Sequence, residues 1–291
     1  MPSVFGDPGY APLPDGRRLH HVSQGVSQGV SQGQGRPVVV LESGLGASRV
    51  EWGLVMPLVA EHTRVVAYDR AGLGRSTPDR HRRDLERMVE DLGHLLDHLG
   101  EERYVLAGHS LGGPILRSYA AADPGRVAGL VLVDQAVEDL DFYYWRSVRA
   151  LSLAVQTVTI GLAGLGVRIV PKEVRRVLAL FPREMRQEAL AEMTRASELR
   201  ATRAEYAALP EGFARLRASG VTLPPVPVTV ISGALAPSKV ERRFRPELVA
   251  AHRRLAEAQP MGRHVLAERS GHMVPQDEPG LVAAEILRLL G

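Results

Sequence analysis

The sequence predicts an α/β protein: a largely parallel β-sheet with helices on both faces, interrupted once, late in the chain, by a helical block. Three observations predict it. Short apolar runs alternate with segments whose apolar residues recur every three or four positions. A G-x-S-x-G turn, Gly108 to Gly112, stands between one such run and a helix. From about Glu138 to Pro224 the alternation stops, and after Pro224 it resumes.

Taken in order, residues 17–23 (RRLHHVS) and 37–42 (PVVVLE) read as strands. Three copies of VSQG, starting at Val22, Val26 and Val30, lie between them and lengthen a loop at little entropic cost. Trp52 to Glu61 reads as a helix and Arg64 to Tyr68 as a strand ending at Asp69, followed by the turn RAGLGRS. Leu85, Met88, Val89, Leu92, Leu95, Leu96 and Leu99 have the spacing of a one-faced helix. Tyr104 to Ala107 is a strand, GHSLGG a turn, the stretch through Ala122 a helix, and Ala128 to Val133 a buried strand.

The block that follows is rich in Leu, Ala and Arg. Within it Leu151 to Val170 is apolar, interrupted by Gln156, three glycines and Arg168, and is expected to be a buried helix pair rather than a membrane span. The strand PVTVIS (227–232), a helix near Pro246 to Ala258, the strand HVLAE (264–268) and a helix from Pro279 to Leu290 complete the pattern. The expected division is a core of residues 1–137 and 225–291 with a helical domain at 138–224.

Composition excludes several classes. At 291 residues, with 45% hydrophobic and 24% charged residues, the chain reads as an ordinary globular protein. A formal net charge of +3 gives no dense basic patch, so no nucleic-acid partner is expected. With no cysteine there is neither a disulfide nor a thiolate, and the first sixteen residues lack the basic opening and apolar run of a secretory signal. A cytoplasmic protein without stable membrane insertion is the expectation; the oligomeric state is not specified by these features. No HExxH or Cys/His spacing suggests a metal.

The strand–turn–helix context gives Ser110 a mechanical role, because the sharp turn holds its side chain up and exposed as a nucleophile. Serine needs a base. Of ten histidines, His272 follows the last predicted strand and falls at the sheet edge where Ser110 also lies; the competing reading has it bonded to Asp277 or Glu278. The imidazole needs a carboxylate, for which Asp134, at the end of GLVLVD, is first choice, with Glu138, Asp139, Asp141 and Glu241 as alternatives. The backbone N–H groups of Leu111 and of Leu45, in the turn Ser43-Gly44-Leu45-Gly46, are the candidate oxyanion donors.

Together ESGLG, YDRAGLGRS, GHSLGG and SGHMVPQDEP, in that order, resemble the α/β-hydrolase superfamily over nearly the whole chain apart from the helical block. The resemblance implies an eight-stranded, mostly parallel sheet with a helical cap inserted after the strand ending at Asp134. It also implies a departure. Members commonly carry the acid after the strand corresponding to PVTVIS, where this chain has Ala236; a subset, including some haloalkane dehalogenases, takes it from the position of Asp134. Dehalogenases and epoxide hydrolases of the family use an aspartate nucleophile, so Ser110 points to acyl chemistry instead.

The resulting expectation is an esterase-like serine hydrolase (EC 3.1) acting, without cofactor or metal, on a small, largely apolar acyl substrate: an ester, thioester or lactone. The alternatives are a non-hydrolytic binding protein or cyclase, motivated by Ala236, and an acyltransferase. Phe142, Tyr143, Tyr144 and Trp145 are expected either to line the entrance or to pack cap on core. Arg175, Arg176, Arg183 and Arg186 are read as a solvated face rather than a carboxylate site.

Overall fold

A computed structural model describes residues 4–25 and 36–291. Eight strands form one sheet: β1 (Asp7–Pro12), β2 (Arg18–Gln24), β3 (Val38–Glu42), β4 (Val65–Tyr68), β5 (Tyr104–His109), β6 (Val127–Val133), β7 (Val228–Gly233) and β8 (Gly262–Ala267). Their order is β1-β2-β4-β3-β5-β6-β7-β8. β1 and β2 pair antiparallel, β2 is antiparallel to β4, and every later pairing is parallel.

The parallel strands are apolar throughout because both faces are covered. Val38 and Val40 belong to one buried cluster, Val39 and Leu41 to the other, as the two-residue period of a strand requires. The first cluster lies against α2 (Leu85–Leu99) and α3 (Gly112–Ala122), the second against α1 (Met56–Ala60) and α10 (Pro279–Arg288). α2 starts at Asp84, whose side chain accepts from the Arg87 amide, and stops at Gly100, at φ 73°.

β1 went unread in the sequence, since Pro8 and Pro12 argue against a strand; as the sheet edge it tolerates them. The helix expected over 52–61 is a 3-10 turn, Arg49–Trp52, followed by the short α1. α8 (Lys239–Glu257) starts well before the expected Pro246, at a capping box between Ser238 and Glu241, and accommodates that proline within it. α9 (Val274–Asp277) is a single turn before α10. The second and third VSQG copies, at 26–33, lie outside the described residues, while the first ends β2.

Between β6 and β7 the described chain is helical or loop: a 3-10 turn at Asp141–Tyr144, then α4 (Arg146–Gly164), α5 (Lys172–Leu178), α6 (Arg183–Met193) and α7 (Ala196–Ser219). The buried helix pair expected at 151–170 is absent. α4 is a single helix with no buried residue, Leu151 and Val158 being 68% and 62% exposed, and the helix ends at Gly164. By length and composition alone it could cross a membrane. Composition marked the segment as apolar, but only its packing partners decide burial, and α4 packs chiefly against α7.

Buried charge fastens this segment to the sheet. Arg49 pairs with Asp69 at 2.8 Å and with Glu192 of α6 at 3.0 Å, and it also meets Glu188. Arg70 holds both carboxylate oxygens of Glu205, on α7, at 2.8 Å, and Glu42 at 2.7 Å. Both arginines are buried, so these bonds are directional and poorly screened.

Candidate active site

β5 ends at His109 and α3 starts at Gly112, leaving Ser110 to turn the chain at φ 51°, a left-handed conformation unusual for a side-chain-bearing residue. The turn is fixed by neighbours: the Ser110 amide donates to Val133 O at 3.1 Å, and its carbonyl accepts from Gly113 and Ala136. A Cβ at Gly112 would fall 2.4 Å from the Glu42 carbonyl, so glycine is required where β3 passes the elbow.

Asp134 follows β6, also at positive φ (37°), and is fully buried. One carboxylate oxygen accepts from His272 Nδ1 at 2.7 Å; the other accepts from the Gly233 amide at 3.0 Å, and Arg245 of α8 reaches both at 2.6 and 2.8 Å. Burial alone would raise the pKa of this acid. The hydrogen bond from His272 and the nearby positive charge outweigh it and hold Asp134 well below the usual carboxylate range. The loop after β7, which contains Ala236, still touches the His272 loop, since the Leu235 amide donates to Ser270 O at 2.9 Å, but the carboxylate there comes from β6.

Three of the four alternative acids are engaged elsewhere. Glu138 pairs with Arg117, Asp139 with Arg217, and Glu241 closes the α8 capping box. Asp277 and Glu278, the alternative partners of His272, bind Arg176 and Arg269.

The turn carrying Leu45 lies against the elbow: a Cβ on Gly44 would stand 3.2 Å from Ser110 Cβ. Arg70 donates to the Ser43 and Gly44 carbonyls at 2.6 Å. In a trans peptide the N–H points opposite to the C=O, so anchoring the Gly44 carbonyl directs the Leu45 amide away from Arg70. Among the described residues, neither the Leu45 nor the Leu111 amide donates a hydrogen bond.

Residues not singled out in the sequence complete the surroundings. Glu51 accepts from His109 Nδ1 at 2.8 Å and from the Gly44 amide at 2.7 Å, while His109 Nε2 donates to the His272 carbonyl at 2.8 Å. Both nitrogens of His109 therefore face acceptors, the pattern of an imidazolium. Burial disfavours that charge, but the carboxylate of Glu51 prevails and raises the pKa of His109, as the imidazolium in turn lowers that of Glu51. The pair ties the elbow, the 43–47 turn and the His272 loop together. His109 is the free position of G-x-S-x-G, and its partner is 58 residues away, so no local pattern marks the pair.

A cavity of about 430 Å³ opens beside Ser110 and His272, with Val174, Val177, Leu178 and Phe181 forming part of its apolar wall. The aromatic quartet does not line it. Phe142 stacks on Phe244, Tyr143 meets Phe213 edge-on, Tyr144 donates to Glu138 O, and Arg243 lies over Trp145. Arg175, Arg176, Arg183 and Arg186 do not border the cavity, and Arg176 is paired with Glu173 and Asp277. Among the described residues there is no group of three or more His, Cys, Asp or Glu that could hold a metal ion.

A model of the alpha/beta hydrolase fold family matches residues 37–238. A dihydrolipoyllysine-residue acetyltransferase component of an acetoin cleaving system from Pseudomonas putida is 38% identical over 103 residues, 35% of this chain and 28% of the relative. A protein of Azorhizobium caulinodans, provisionally named carbamate hydrolase RutD, is 36% identical over 96 residues, 33% of this chain and 36% of the relative. The matches thus span about a third of these curated relatives. Among solved structures, the epoxide hydrolase CorEH superposes with a TM-score of 0.74 at 24% identity, covering 97% of both chains, a likeness of fold.

Proposed function

The chain belongs to the alpha/beta hydrolase fold family, and from that premise we propose that it is a serine hydrolase cleaving a carboxylic ester or related acyl bond of a largely apolar small molecule. The contact that carries this reading is the 2.7 Å hydrogen bond from His272 to Asp134 beside the strained Ser110 turn. With Nδ1–H held by Asp134, the other ring nitrogen of His272 is the base that takes the Ser110 proton as the oxygen attacks the carbonyl. The Leu45 and Leu111 amides receive the developing oxyanion, the alcohol leaves with the proton, and water then releases the acyl group from Ser110.

The 138–224 segment acts as a cap. Its apolar wall suits a hydrocarbon acyl chain, and the hydrolase names of relatives such as RutD support bond cleavage by water. A carboxylate at His272 favours turnover over a binding-only role for the same cavity.

A fluorophosphonate is expected to label the protein on Ser110, and Ser110→Ala to abolish both labelling and ester turnover. Asp134→Asn should lower kcat by roughly four orders of magnitude, the loss seen when a buried triad aspartate is neutralised. Wild-type protein that folds yet never labels would refute the nucleophile; near-wild-type activity of Asp134→Asn would refute the acid.

A further inference from the structure

α7 carries two buried glutamates seven residues apart, Glu198 and Glu205, two turns along one face. Both accept a backbone N–H from the core: Glu198 from Gly74 at 3.1 Å, Glu205 from Gly46 at 3.0 Å. There the likeness ends. Glu205 is matched by Arg70, as Glu192 is by Arg49. The cation nearest Glu198 is Arg195, at 3.8 Å on a half-exposed side chain that also reaches Glu192.

Glu198 is only 3% exposed, and it borders the cavity that holds Ser110 and His272. Two other polar groups of that wall, Glu51 and His109, are spoken for. Both oxygens of Glu51 are taken by His109 and Gly44, and both nitrogens of His109 by Glu51 and the His272 carbonyl. Gln276 spends its amide N–H on Glu51 O, leaving its Oε1 buried without a partner. The cavity therefore offers a Glu198 carboxyl that one backbone N–H serves and no close cation matches, and a Gln276 oxygen with no donor. A buried acceptor without a donor is costly, and a ligand that supplies the donor recovers that cost.

We propose that Glu198 selects the substrate by accepting a hydrogen bond from a hydroxyl or ammonium group borne on the otherwise apolar molecule, so that the substrate class is hydroxylated or aminated acyl esters rather than plain alkyl esters. The proposal rests on the serine-hydrolase reading and names its substrate class. Burial pushes the Glu198 pKa up to about 7, the Gly74 N–H opposes it, Glu192 and Asp69 add to it, and Arg195 opposes it. A hydroxyl is accepted by either form of the carboxyl; an ammonium group requires the carboxylate, which forms as pH rises through about 7.

The test uses p-nitrophenyl butyrate, hexanoate and octanoate, each plain and with a terminal hydroxyl or amino group. Wild type should prefer a substituted ester of at least one length by about tenfold or more in kcat/KM, mainly through KM, as expected for a hydrogen bond to a charged group. Glu198→Leu should bring the ratio of substituted to plain ester close to one. Glu198→Gln, which keeps an acceptor for Gly74, should retain part of a hydroxyl preference and lose an ammonium preference together with its rise across neutral pH. Fluorophosphonate labelling of Ser110 in each variant certifies an intact site. Wild type that labels but prefers no substituted ester at any length, or a preference that survives in Glu198→Leu, overturns the proposal; wild type that never labels overturns the serine-hydrolase reading instead.

Discussion

The sheet and the helical segment between β6 and β7 are held by different balances of force. Every residue of β3, β4 and β5 is buried, and their alternate side chains feed two apolar clusters. Across the boundary, α6 and α7 are fixed by buried ion pairs through Arg49 and Arg70, while α4 buries no residue at all. Apolar burial is forgiving of direction; a bidentate arginine is not. The sheet is thus held by area, and the segment by alignment added to area, since Val177, Leu178, Phe181, Ala189, Phe213 and Leu216 join the same two clusters. At Gly46 the alignment is tight, since a Cβ there would lie 2.4 Å from Thr202 of α7.

The strongest way to break this contrast is Arg70→Met, which strips a cation from Glu42 and Glu205 and should cost about 3–5 kcal/mol. Adding Glu205→Gln should recover part of the loss, because one of the stranded charges is gone. The two tryptophans report the two regions: Trp52 is fully buried in the core and Trp145 lies at the start of the segment. In single-tryptophan variants followed by urea unfolding, Arg70→Met should lower the Trp145 midpoint more than the Trp52 midpoint. Equal shifts would mean that the segment and the sheet unfold as one unit.

Acid should separate the regions next. Glu205 titrates below its ordinary value of 4.5, because the charge of Arg70 outweighs the opposing effect of burial. A depressed acid contributes stability that is full above its unfolded value and lost as pH falls through its folded one. Below about pH 4 the Trp145 midpoint should therefore fall before that of Trp52; midpoints that coincide at every pH would show that the pairs do not hold the segment separately. The smallest effect belongs to α4, where Leu151→Ser, Val155→Ser and Val158→Ser should each change stability by less than about 0.5 kcal/mol. A larger loss at all three would show that this face is covered in solution.

The same contrast explains what the residues revealed in advance. The parallel strands and α2 announce themselves because their contacts impose a local period, and Ser110, Asp134 and His272 stand at ends of such elements, where position alone makes them candidates. The pairing that orients them has no period. Arg245 reaches Asp134 across 111 residues and Arg70 reaches Glu205 across 135, distances at which a one-dimensional pattern carries no signal. Glu51 and Glu198 read as ordinary acids for the same reason. β1 was hidden by its prolines, which only an edge position excuses, and the exposure of α4 is invisible to composition because an apolar helix looks the same whether or not anything covers it.

Ser110 and Asp134 directly follow neighbouring strands, and both turn through left-handed backbone that glycine would adopt without strain. Such conformations cost on the order of 1–3 kcal/mol each when a side chain is present. Glycine at position 110 would therefore release strain, whereas glycine at position 134 would also leave Arg245 buried without its carboxylate, so the elbow is the more tolerant of the two to loss of its side chain.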